Sequence, residues 1–120
     1  MISSDEVRRL LLDDVTDQSQ NARVFAAVRD LLRTRLELAR PLTYIDATNL
    51  APRERKPYFD TAAPYSARME AVFFDTPAAE CLRRNAARHR VVPEKIIHDM
   101  ALRLVPPTRA EGFSKITVIS

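Results

Sequence analysis

Leu42-Thr43-Tyr44-Ile45-Asp46-Ala47-Thr48-Asn49, continued by Leu50-Ala51-Pro52-Arg53-Glu54-Arg55, is the stretch that decides the fold. Pro41 stops whatever precedes it, and the run Leu42 to Asp46 reads as a buried strand that delivers Asp46 at its C-terminal end. Directly after it come a hydroxyl and an amide, Thr48 and Asn49, and then Pro52, which suits the first turn of a helix. A carboxylate, a hydroxyl and an amide at a strand end can hold metal-bound water, a substrate hydroxyl or phosphate oxygens. Asn49 can equally cap the next helix, and the two roles are compatible.

Working outward, the same alternation repeats. Upstream, Val24, Phe25, Val28, Leu31, Leu32 and Leu36 recur at helical spacing up to about Ala39. Before them lies a polar linker of Asp13, Asp14, Thr16, Asp17 and Ser19. Met1 to Ser3 reads as the tail of a strand, and Ser3 with Glu6 forms a capping-box pattern that opens a helix near Ser4. Downstream, the helix from Pro52 is expected to reach about Ala63, bent or weakened at Pro57. Glu70 to Phe74 follows as a strand, and Thr76-Pro77 predicts a helix to about Arg88, with the Thr76 hydroxyl as its cap. A helix from Pro93 carries Ile96, Ile97, Met100 and Leu104 on one face, and Lys115 to Ile119 is a last apolar strand. Short strands alternating with helices predict an α/β layer fold with a mostly parallel sheet, in one domain over residues 1–120.

Composition narrows the function classes. With 46% hydrophobic and 29% charged residues in 120, the chain is of ordinary globular type, and its net charge of +3 permits an anionic partner without demanding one. No apolar run approaches the roughly 20 residues of a membrane helix, so a cytoplasmic protein with no membrane partner is expected. Cys81 is the sole cysteine, which excludes an internal disulfide and reads as a small core residue. One glycine, Gly112, stands against eight prolines. A phosphate-cradling loop needs several glycines so that backbone N–H groups can approach the phosphate, so these residues contain none.

Two further clusters carry possible chemistry. Asp5 sits in the first turn of a helix just past a strand, with Arg8 one turn along the same face; a carboxylate there is placed to take a proton from a substrate hydroxyl, although the helix dipole also favours an acid at that position. Arg83-Arg84-Asn85-Ala86-Ala87-Arg88-His89-Arg90 holds four arginines with no acid between Glu80 and Glu94. Such a segment, over residues 83–92, suits a lid that neutralises a transferring phosphoryl group, a solvated helix end, or a sequence-independent contact to nucleic-acid phosphates.

Taken together, Ile2 to Arg8, Tyr44 to Arg55, Cys81 to Pro93 and Pro107 to Phe113 resemble, in order and spacing, the polynucleotide-kinase-like P-loop kinases. The resemblance implies a three-layer P-loop kinase-like fold and transfer of the ATP γ-phosphate to a hydroxyl. The acceptor would be a polynucleotide 5′ end or a smaller nucleoside or sugar-like molecule. Asp5 would be the catalytic base and Arg8 would bind the acceptor or its phosphate. Asp46, Thr48 and Asn49 would order the acceptor and the surroundings of magnesium. Arg88, with Arg84 and Arg90, would form the lid over the ATP phosphates, and no residue is assigned as a direct metal ligand. Family members place an apolar strand and a glycine-rich phosphate loop before the Ser-Asp segment. By that comparison the chain is expected to be an N-terminally truncated member that binds neither ATP nor Mg2+ on its own and is catalytically inactive alone. With the strand order 2-3-1-4-5 of such kinases, loss of the central strand would separate the strand at Leu42 to Asp46 from that at Glu70 to Phe74, or force them to pair. The alternative is a non-catalytic remnant that binds nucleic acid or another anionic partner through its arginines.

Overall fold

Ser3 is where strand becomes helix. Its backbone is extended (φ −104°, ψ 128°), and its hydroxyl accepts the Glu6 N–H at 3.3 Å, satisfying one orphan donor of helix α1, Ser4–Leu12. Only half of the expected capping box forms, because the Glu6 carboxylate pairs with Arg9 one turn further on. That contact holds Glu6 below its usual carboxylate range. The helix stops at Asp13 in the left-handed region (φ 60°), whose N–H reaches the Arg9 carbonyl. The computed structural model describes residues 1–88 and 91–120.

Strand β1, Ile2–Ser3, precedes α1, and helix α2, Asn21–Glu37, follows it. Val24, Val28 and Leu32 recur every fourth residue on α2 and are buried, the two valines completely. Leu31, expected on the same face, is half exposed instead. Strand β2, Ile45–Asp46, pairs in parallel with β1, Ile2 opposite Ile45 and Ser3 opposite Asp46. The expected strand from Leu42 shortens to two residues for an identifiable reason. Arg35 takes the Leu42 carbonyl (2.7 Å) and the Thr43 hydroxyl (2.9 Å), holding that segment in a non-strand path. Helix α3, Pro52–Ala62, has the predicted extent with Pro57 inside it.

Strands β3, Glu70–Phe74, and β4, Lys115–Ile119, pair in parallel along their full length. Helix α4 runs Ala78–Ala86 and helix α5 runs Glu94–Arg103, each preceded by a proline in the extended region. Pro77 itself is the cap residue of α4, so the helix starts later than Thr76-Pro77 suggested, and the Thr76 carbonyl accepts the Cys81 thiol at 3.6 Å. At its other end α4 stops at Ala86, short of Arg88; Ala87 and Arg88 continue it with tighter turns onto the Arg84 and Asn85 carbonyls. Both strand pairs are parallel as expected, and each forms a two-stranded sheet of its own. No helix among the described residues is long and apolar enough to cross a membrane.

The chain divides into two compact units, residues 1–49 with 56–67 and residues 50–55 with 68–120. In the first, Ile2, Val7, Val24, Val28, Leu32, Tyr58 and Ala62 are buried. In the second, Phe113 and Asn85 are buried, and so is the Arg55 side of an ion pair. Arg55 donates from Nε and Nη2 to the two Glu111 carboxylate oxygens at 2.8 and 3.0 Å, and from Nη1 to the Val105 carbonyl at 3.0 Å. Glu111 also accepts the Thr108 N–H (2.9 Å) as part of a capping box around the turn Arg109–Glu111, which closes on Gly112 at φ 123°, a conformation suited to glycine.

The Arg55 guanidinium holds the Glu111 carboxyl below its usual range. A depressed folded pKa contributes stability that is present above the unfolded value of about 4.3 and is lost as pH falls through the folded one. Acid titration followed by circular dichroism should therefore show Glu111→Gln losing part of the acid-dependent destabilisation of the parent chain. Superimposable acid limbs for the two proteins would refute that assignment.

Candidate acceptor and anion sites

The end of the β1–β2 pair gathers three of the residues singled out in the sequence. Asp46 lies opposite Ser3 in register, and Asp5 stands in the first turn of α1 just beyond. Arg8, one turn further, is 4% exposed despite its charge. Burying a guanidinium is costly unless its donors are met. Two of its nitrogens are: Nη1 donates to Asp5 Oδ1 at 3.1 Å and Nη2 to Asn21 Oδ1 at 2.9 Å. Its Nε is buried with no hydrogen-bond partner among the described residues.

An orphaned charged donor is an exception that calls for a cause. Asp5 and Asn21 thus fix the plane of the guanidinium at the end of β1. Asn21 is a residue that sequence reading did not find. It opens α2, accepts from Arg8, and donates its own Nδ2 to Gln18 Oε1 at 3.0 Å, so its amide orientation is fixed from both ends. Thr48 is exposed and Asn49 half-buried in the same unit, and Asn49 adopts φ 46°, which asparagine tolerates better than most residues.

The arginine segment belongs to the other unit. Arg83 and Arg84 both pair with Glu80 on the preceding turn of α4, Arg83 Nε at 2.8 Å and Arg84 Nε at 2.8 Å. Two guanidiniums on one carboxyl pull Glu80 down to about 2. Arg84, expected in the lid, is thus already engaged by an acid. Arg88 is exposed and makes no ion pair among the described residues. Arg90 lies outside the described residues, as does His89. Asn85, between the arginines, is 3% exposed and was not singled out by sequence. Its Nδ2 donates to the Val92 carbonyl at 2.6 Å and its Oδ1 accepts the Val92 N–H at 2.8 Å.

ATP and magnesium need a phosphate cradle and an oxygen cage. A single glycine in 120 residues offers few backbone positions suited to a glycine-rich phosphate loop. No group of three or more His, Cys, Asp or Glu side chains that could hold a metal ion occurs among the described residues.

A family model described as an AAA domain matches residues 1–107. No curated protein matches the chain.

Proposed function

Because the chain belongs to the AAA domain family, a P-loop nucleotide-binding family of kinase-like type, we propose that residues 1–49 provide the acceptor side of a phosphotransferase acting on an alcohol group. The acceptor is a polynucleotide 5′-hydroxyl or a smaller nucleoside or sugar-like molecule. Asp5 takes the hydroxyl proton, which is the work of a general base and is worth about 10² to 10⁴ in rate. Arg8, fixed by Asp5 and Asn21, gives a further guanidinium N–H to an acceptor or phosphate oxygen. Asp46, Thr48 and Asn49 order the acceptor around it. In the other unit, Arg84, Arg88 and Arg90 are assigned to ATP phosphate oxygens from their sequence positions. ATP supplies the phosphoryl group where a complete nucleotide site is present.

The Arg8 guanidinium, held between Asp5 and Asn21 beside the strand end that carries Asp46, is the observation that carries this reading. A charged hydrogen bond of that kind contributes about 1.5–3 kcal/mol. Arg8→Ala should accordingly weaken binding of a short single-stranded oligonucleotide bearing a 5′-hydroxyl by about 10- to 100-fold, read by fluorescence anisotropy, with Arg8→Lys intermediate. A second reading is favoured by the exposure of Arg83 and Arg84, whose side chains are 74% and 64% accessible. They suit a sequence-independent phosphate contact with strong salt dependence. Affinity that survives Arg8→Ala and vanishes when Arg83, Arg84 and Arg88 are all alanine would reject the acceptor reading in favour of that one.

A further inference from the structure

We propose that Asn85 is a positioning residue that fixes how Arg88 is presented to an anionic phosphate group. The inference rests on the reading of Arg88 as phosphate-facing. Helix α4 is polar and largely accessible around Asn85, with Arg83, Arg84, Ala86, Ala87 and Arg88 all exposed, yet the Asn85 side chain is buried. A primary amide can donate to the carbonyl and accept from the N–H of one residue at once. Asn85 uses both functions on one residue, Val92, seven positions along the chain.

The same residue also grips Arg88. The Asn85 backbone carbonyl accepts the Arg88 N–H at 3.1 Å, while the Arg84 carbonyl accepts that of Ala87 at 3.2 Å. Asn85 is therefore pinned by its side chain to Val92 and in turn pins the backbone from which Arg88 projects. Holding the Arg88 backbone in advance removes entropy that an incoming anion would otherwise have to overcome. The chemistry is selective. Aspartate keeps the acceptor for the Val92 N–H but sets a negative charge against the Val92 carbonyl, and alanine removes both bonds.

Inorganic tripolyphosphate is the probe, titrated calorimetrically into the full chain and into Asn85→Ala, Asn85→Asp, Arg88→Ala and Asn85→Ala/Arg88→Ala. The expected result is an affinity loss of about tenfold for Asn85→Ala, a loss at least as large for Asn85→Asp, and no further loss when Asn85→Ala is added to Arg88→Ala. That non-additivity is the signature of a residue acting through another, which a general loosening of the fold does not give. Circular dichroism checks that each variant is folded, and Asn85→Asp carries the comparison if the alanine variant is not. Wild-type affinity in both Asn85 variants, or a full additive loss in the double variant, overturns the positioning role and leaves Arg88 as a phosphate contact. A parent chain whose tripolyphosphate binding is absent or indifferent to Arg88→Ala overturns the phosphate-facing reading and this inference with it.

Discussion

Truncating Arg55 to alanine should cost about 3–5 kcal/mol, a large part of the roughly 5–15 kcal/mol that holds a typical domain folded. Arg55 and Glu111 are 7% and 12% accessible at their side chains, and the contact is bidentate. Removing one partner leaves the Glu111 carboxylate under cover with its principal counter-charge gone, and the Val105 carbonyl loses a donor as well. The cost comes from that stranded charge rather than from the attraction itself. Replacing both partners with apolar groups of similar size, Arg55→Met with Glu111→Leu, should consequently recover most of the loss. Urea denaturation of the three chains measures both effects. A loss below about 1 kcal/mol for Arg55→Ala would put the pair in the class of surface bridges and would be incompatible with the burial described.

Val28→Asp is expected to be comparably severe in the first unit, and its effect should depend on pH. Val28 is fully buried on the face of α2 that also buries Val24 and Leu32. A carboxyl placed there is driven toward its neutral form, raising its pKa by about 3–5 units, or about 4–7 kcal/mol when the pH lies above both pKa values. The sign runs opposite to that of Glu111. With the folded pKa raised, the charge penalty is absent below the unfolded value of about 3.9 and grows as pH rises toward the folded one. Val28→Ala, which only loses methyl groups and opens a small cavity, should cost about 2–3 kcal/mol at any pH. Thermal melts of both variants between acid and neutral pH distinguish the two cases. A pH-independent deficit for Val28→Asp would mean that water reaches the site.

Local signals were legible where local physics settles the structure. Ser3 before Glu6 marked the start of α1, Pro52 marked α3, and the spacing of Val24, Val28 and Leu32 marked the buried side of α2. The alternation of strand and helix foretold parallel pairing, which both sheets show. Errors arose where a distant or unexpected partner competed. Leu42 and Thr43 have strand character, but the Arg35 guanidinium claims them. Thr76 has the chemistry of a cap, but Pro77 in an extended conformation delays the helix. Ile96 has helical spacing, yet 46% of it remains accessible.

The candidate sites divide the same way. Asp5 and Arg8 lie three residues apart, so their pairing follows from helical geometry and could be read directly. That Arg8 is buried, and held by Asn21 from thirteen positions away, could not. Neither could Arg55 with Glu111, which are 56 positions apart, nor Asn85, whose importance lies in a bond to the backbone of Val92 that leaves no mark on residue type. Glu80 was visible only as a boundary of the arginine run, whereas in the folded chain it occupies two of those arginines.

The scarcity of glycine has a thermodynamic side beyond phosphate binding. Gly112 sits at a positive φ, while Asp13, Ala39, Asn49 and Ser66 adopt the left-handed conformation without glycine's freedom to do so. Each such residue carries some local strain. Against this, a polypeptide with a Cβ at every position but one and eight ring-locked φ angles samples fewer conformations when denatured. Part of what keeps this protein folded is thus a poverty of alternatives in its disordered ensemble, a contribution that no inventory of native contacts would reveal.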